Sequence, residues 1–421
     1  MKKIFYLSFF FILSANLFAA YLPLRYENVN YEENIKTVIL TQANSIERFP
    51  AIDLNSNQQL HLYFDDLMPE SDNYQYTFIH CSAAWQRSNL RQNEYLKGNF
   101  FENIQNYSFS KATFQVYTHY DVFFPTYEMK PSVSGNYLMV VYRNFDENDI
   151  ILSRRFMVVE DKFVIEPSPK IATNPDVRFS SQEIDFMVNL GESRIPNPML
   201  DIKATIMQNL RWDNAIFDLK PRFINGKYLD YNYETGNVFL GGNDFRYFDT
   251  RSLRFLSFNV RRKYMEDNLK NVVLNNDAPR NLMPYIQTID FNGKIVIDNR
   301  DNGVRGEIEG DYAKVHFTYI SDKQAHDVYV FGELTNWQMK PEFKMEWNEK
   351  FQQYELAVML KQAYFNYYIV TDNPEGTVSL KETEGNFSNT ENDYHIMIYH
   401  KNQFMQYDEL LGTIYCNSVK R

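Results

Sequence analysis

The chain has 421 residues, with 43 Lys and Arg against 54 Asp and Glu and a formal charge of −11. An acidic balance of this size lacks the electrostatic footprint of a protein that binds nucleic acid or an anionic lipid surface. The length predicts about two to four domains, and a 16% aromatic content, with 31 Tyr and 34 Phe, suits β-sandwich cores, where such side chains fit the pleat.

Met1-Lys2-Lys3 opens the chain with positive charge, Ile4 to Leu13 is almost unbroken apolar, and Leu17-Phe18-Ala19-Ala20 offers small residues for cleavage. This order predicts a secretory leader over residues 1–20, too short to span a membrane, and a mature chain starting near Tyr21. No cysteine stands at the cut, so no lipid anchor is expected. Losing Lys2 and Lys3 takes the formal charge from −11 to −13. No later stretch approaches the length of a spanning helix, so a soluble exported protein without direct membrane insertion is expected.

Beyond the leader the signal is β throughout. Leu200, Ile202, Ala204 and Ile206 alternate with Asp201, Lys203 and Thr205, the period of a half-buried strand. Val315, Phe317 and Tyr319 repeat it, as do Tyr354, Leu356, Val358 and Leu360. Ser134-Gly135-Asn136, Asn225-Gly226 and Gly241-Gly242-Asn243 read as turns. Short helices are expected only at Asn89 to Leu96 and Tyr264 to Val273. Arg154-Arg155 to Glu160 reads as the last strand of a first domain, Pro167-Ser168-Pro169 as a stiff linker, and Asp298 to Gly303 as a polar hinge. The expected fold is all-β, three tandem immunoglobulin-like sandwiches over 21–162, 163–298 and 299–421.

Chemistry finds little support. The seven histidines have no metal-ligand spacing, and His395 and His400, five apart on a strand, face opposite sides. His80 and Cys81 are strand neighbours, so they cannot form a nucleophilic dyad. Cys81 and Cys416 lie near opposite ends of the chain and are expected as free thiols. Asp65-Asp66 would serve a glycosidase only if a second carboxylate converged on it. No catalytic, metal or cofactor-binding residues are therefore expected. Trp85, Tyr117, His119, Tyr120 and Arg154 are candidate interface residues, because aromatic rings and arginine anchor interfaces well. One of Arg154 and Arg155 should point inward or to a partner while the other meets solvent.

Two resemblances add to this. Asp327 to Trp337, with a strand ending at Gly332 and the pair Asn336-Trp337, resembles the opening of glycogen-binding and isoamylase N-terminal immunoglobulin-like domains. The aromatic strand Tyr364 to Val370 resembles a later strand of the same domains. In the carbohydrate-binding members an exposed Trp stacks on sugar, which makes Trp337 a further candidate contact and a weak glycan-binding module the alternative function. The wider resemblance rests on Ile79-His80-Cys81, Trp85, Ser88-Asn89-Leu90, Glu94-Tyr95-Leu96, Tyr117 to Tyr120, Pro125, Ser134 to Leu138, Val141-Tyr142 and Arg154 to Val159. Glu384-Gly385-Asn386-Phe387 and Glu391 to Tyr394 add to it at the tail. The ordered set is similar to the plug protein family of the Bacteroidota type IX secretion system, except that Ala84 stands before Trp85 where an acidic residue is expected. The resemblance implies a periplasmic, non-enzymatic plug. Its implied partner is the large outer-membrane translocon β-barrel, whose periplasmic mouth it closes at the inner face of the outer membrane.

Overall fold

The computed structural model describes residues 22–45, 47–68, 70–301 and 306–419, so the expected leader and part of the expected hinge lie outside the described residues. Half of the chain is strand and 5% helix. The all-β expectation holds.

The first unit is a two-sheet sandwich. One sheet runs Val29–Asn30, Asp146–Val159, Gly135–Arg143, Tyr74–Cys81 and Phe101–Asn103, with Ala51–Asp53 added parallel to Asp146–Val159. The other runs Ile35–Gln42, Leu60–Asp66, Thr118–Phe124 and Asn106–Phe109. Alternation explains the core between them. Leu60, Leu62 and Phe64 point inward to meet Phe78, Tyr120, Phe124 and Phe156. The opposite face of Leu60–Asp66 would ordinarily be solvated, yet Tyr63 and Asp65 are buried there too. Another unit covers them.

The second unit packs Val164–Ile171, Ser181–Asn189, Tyr228–Asp230 and Phe223–Asn225 against Arg211–Leu219, Ile202–Gln208, Asp393–Asn402 and Tyr407–Asn417. The third is a long sheet that curls over its own core. Arg246–Asp249 near one end brings Phe248 to within 5.4 Å of Phe317 on Tyr312–Tyr319, well along the sheet.

These pairings overturn the contiguous boundaries 163–298 and 299–421. Arg246–Asp249, Val260–Glu266 and Leu269–Leu274 join the third unit, while the C-terminal hairpin Asp393–Asn417 returns to complete the second. Ile202 pairs with His400 and Gln208 with Tyr394. A polar segment marks where chain is exposed, not which strand will cover an apolar face. Two further expectations change. Pro167 and Pro169 lie in Val164–Ile171, which pairs with Ser181–Asn189 alone, an edge position where missing N–H donors are tolerated. Tyr264 to Val273 is a hairpin, turned at Asp267 and Asn268, both with positive φ. The helix Gln92–Tyr95 does fall within 89–96, and both cysteines are free.

Candidate docking site and the joints behind it

The structure buries all six candidate interface residues. Trp85, Tyr117, His119, Tyr120, Arg154 and Trp337 are each at most 9% exposed. They are anchors between parts of this chain, and none offers a first contact to a partner. Tyr120 belongs to the first core, stacked on Phe64 at 5.1 Å. Arg154 is held by the carbonyl of Val29 at 3.0 Å and the Asn30 side chain at 2.6 Å. With only neutral acceptors there, burial pulls its guanidinium down to about 9.

Arg155, partly exposed, is the one that reaches toward solvent, yet it is also held on both sides. Its guanidinium lies 4.6 Å from the Trp85 ring and 5.0 Å from the Trp212 ring, and its Nε donates to the Tyr26 carbonyl at 2.8 Å. Arg211 repeats the arrangement 5.3 Å from both Phe331 and Trp337, while gripping Asp213. Arg155 thus bridges rings of the first and second units, while Arg211 carries the second unit onto rings of the third. Beneath them Leu138, Val140 and Met157 of the first unit share an apolar cluster with Met207, Met397, Tyr399 and Leu410 of the second. The seam is packed like a core. Trp337 is wedged so closely on Gly293 that a Cβ there would lie 2.3 Å from its ring. An indole so placed cannot lie flat on a sugar, which overturns its expected glycan contact.

A second joint, between the first and third units, is ionic. Asp65 is fully buried and accepts His119 Nδ1 at 2.7 Å, Lys361 Nζ at 2.7 Å and Tyr312 OH at 2.6 Å. Tyr117 OH donates to the Gly310 carbonyl at 2.8 Å, and its ring faces Lys361 Nζ at 4.2 Å. Burial alone would raise the Asp65 carboxyl, but Lys361 and His119 outweigh it and hold it below its ordinary value. Burial would likewise lower His119, yet the nearby Asp121 carboxylate, 3.6 Å from its Nε2, and the bond to Asp65 push its imidazole up to about 9. Because the folded value exceeds the unfolded one, this stabilisation is complete below about pH 6.5 and disappears as pH rises through about 9. The Tm of the wild type should therefore fall more than that of His119→Gln across this window. Parallel thermal profiles for the two proteins would contradict the assignment.

What the first unit leaves open is a groove. About 860 Å³ in volume, it is walled by Phe100, Phe101, Phe123 and Tyr127, with Glu102 and Glu128 among them. All four aromatic rings are exposed, Tyr127 completely so. Phe101–Asn103 and Asn106–Phe109 end their respective sheets beside it. Exposed aromatic rings gathered around an open groove, here among polar side chains such as Asn99, Asn103 and Asp121, are a common mark of an interaction site. Gly98 on the wall has φ +87°, and a Cβ there would sit 2.0 Å from the Glu128 carbonyl oxygen, so the wall requires glycine. Sequence reasoning missed this groove, since Phe100-Phe101 looks like any buried pair in an aromatic-rich chain. Its only local signal is the glycine beside it. No cluster of potential metal ligands occurs among the described residues.

Residues 35–160 match the family described as type 9 secretion system plug protein 1st domain. The chain belongs to the type 9 secretion system plug protein family. A crystal structure of a hypothetical protein from Parabacteroides merdae ATCC 43184 is 30% identical, with a TM-score of 0.90, covering 94% of this chain and 100% of that one. No curated protein matches. The groove of this plug-family member lies wholly inside the matched first domain, and the likeness to the solved structure extends over all three units. Among the described residues, no helix is long and apolar enough to cross a membrane.

Proposed function

We propose that this protein is a non-enzymatic periplasmic plug that closes the inner mouth of the outer-membrane translocon barrel. The observation that carries this reading is the match of residues 35–160 to the plug family's first domain. The geometry supports it in two ways. Blocking a wide pore needs bulk that does not flex, and the Arg155, Arg211 and Asp65 joints tie three units into such a body. It also needs a surface that grips the pore, and the groove around Phe101 and Tyr127 is open for that purpose. The leader-like residues 1–20 supply export to the periplasm.

Deletion of the gene should let a membrane-impermeant antibiotic through the outer membrane, and further loss of the barrel should restore exclusion. Antibiotic uptake equal to that of the parent strain would count against the plug. Phe101→Asp with Tyr127→Asp should release the protein from solubilised barrel while leaving its Tm unchanged, because both rings are exposed.

A further inference from the structure

We propose that one face of the third unit binds an anionic phospholipid leaflet, with the tips of two apolar loops entering the interfacial region. The proposal is independent of the plug reading, since a vesicle contains no barrel.

The first observation is local charge. Residues 246–263 hold six basic side chains against the single acid Asp249, in a chain whose formal charge is −11. Arg246 is engaged by Asp277 and Glu384 and Arg251 by Asp249, while Arg261 and Arg262 are exposed. The expectation that acidity excludes anionic lipid is an average over the chain, whereas attraction to headgroups acts within about 10 Å of the charges. Amid this basic stretch Phe255, Leu256 and Phe258 are 73%, 64% and 71% exposed. The loop that carries them is pinned from behind. Asp301 accepts the Leu253 N–H at 2.7 Å, Lys263 Nζ donates to the Ser252 carbonyl at 2.7 Å, and the Asn259 amide reaches the Tyr247 carbonyl at 2.6 Å. Fixed backbone with apolar tips in water means that the ordering cost of presenting those tips is already met.

A second loop, residues 281–291, presents the same inverted pattern. Leu282 and Ile289 are more than 90% exposed and Ile286 is 75% exposed. Its polar side chains turn inward instead, with Tyr285 OH on Asp244 at 3.1 Å and Thr288 on the other oxygen of the same carboxylate. An aromatic row joins the loops into one face. Phe258 meets Tyr247 at 6.5 Å, Tyr247 stacks on Tyr364 at 5.7 Å, and Tyr364 meets Phe291 at 5.3 Å. Between the loops lies an opening of about 200 Å³ whose lining includes Asn259, Asn276, Arg280 and Thr288 together with Asp277, whose charge Arg246 offsets.

Shape selects a bilayer over a protein. Protruding side chains need a partner with matching hollows if it is folded, but a leaflet yields around them. Apolar tips flanked by arginines meet both layers of a leaflet, acyl boundary and phosphate, at the right depths.

The mature protein should co-sediment with phosphatidylcholine vesicles containing phosphatidylglycerol, less so as salt rises, and not with phosphatidylcholine alone. Phe255→Ser with Leu256→Ser and Phe258→Ser should weaken binding about tenfold or more. Arg261→Glu with Arg262→Glu should also weaken it, and serves if the triple variant misfolds. Failure to bind anionic vesicles, or binding unmoved by both variants, overturns the proposal. Vesicle binding absent while the loop variant loses co-purification with the barrel would assign this face to a protein and overturn it equally.

Discussion

Replacing Lys361 with methionine should cost roughly 3–5 kcal/mol of stability, because it strands the Asp65 carboxylate in a dry joint. Asp65 is fully buried, and of its three donors only Lys361 and protonated His119 carry charge. The loss should appear first as separation of the first and third units, since Lys361 reaches across between them. The double variant Asp65→Asn with Lys361→Met should recover most of it, since the carboxylate is removed together with its cation and His119 keeps Asp121 beside it. Thermal unfolding and limited proteolysis of both proteins provide the check. A single variant as stable as the double would mean that water already reaches the carboxylate.

An effect of similar size, roughly 3–5 kcal/mol, is expected for Glu384→Ala. This buried carboxylate accepts Arg246 Nε at 2.8 Å, Arg280 Nε at 2.7 Å and the Ile369 N–H at 2.8 Å. Arg246 is shared with Asp277, which the Tyr367 hydroxyl also binds at 2.7 Å. Without Glu384, Arg280 loses its carboxylate and Arg246 keeps one of two. The segment from Leu380 to Phe387 leads into Asp393–Asn402, the strand that completes the second unit, so the damage should spread there. Proteolytic cleavage appearing between residues 380 and 392 would locate it, and Glu384→Gln should be milder, because the amide oxygen still accepts one N–H. A protease-resistant Glu384→Ala protein with unchanged Tm would contradict the network.

Much of the local architecture was legible from residue order. Alternation read strands over 200–206, 314–319 and 354–360, and strands stand there at Ile202–Gln208, Tyr312–Tyr319 and Gln353–Lys361, with Leu200 and Asp201 in the short helix Pro198–Asp201 instead. It failed at Tyr264 to Val273, where two left-handed residues, Asp267 and Asn268, turn a hairpin instead of continuing a helix. The site was far less legible. Trp85, His119, Arg154 and Trp337 read as candidate contacts for a partner, but their contacts lie inside the molecule.

Period-two patterning is a property of neighbours along the chain, so sequence by itself determined the β class, the strands and their inward faces. The tag set from Ile79 to Val159 likewise identified the plug family. Partner choice is different. A half-buried strand states that one face needs cover without stating by what. Only the tertiary structure could bring Asp393–Asn402 to Ile202–Gln208, set Lys361 against Asp65, and leave Phe101, Tyr127, Phe255 and Ile289 outside. In a chain this rich in phenylalanine and tyrosine, composition does not separate the rings that fill a core from those that meet a partner. Burial does, and burial depends on long-range contacts.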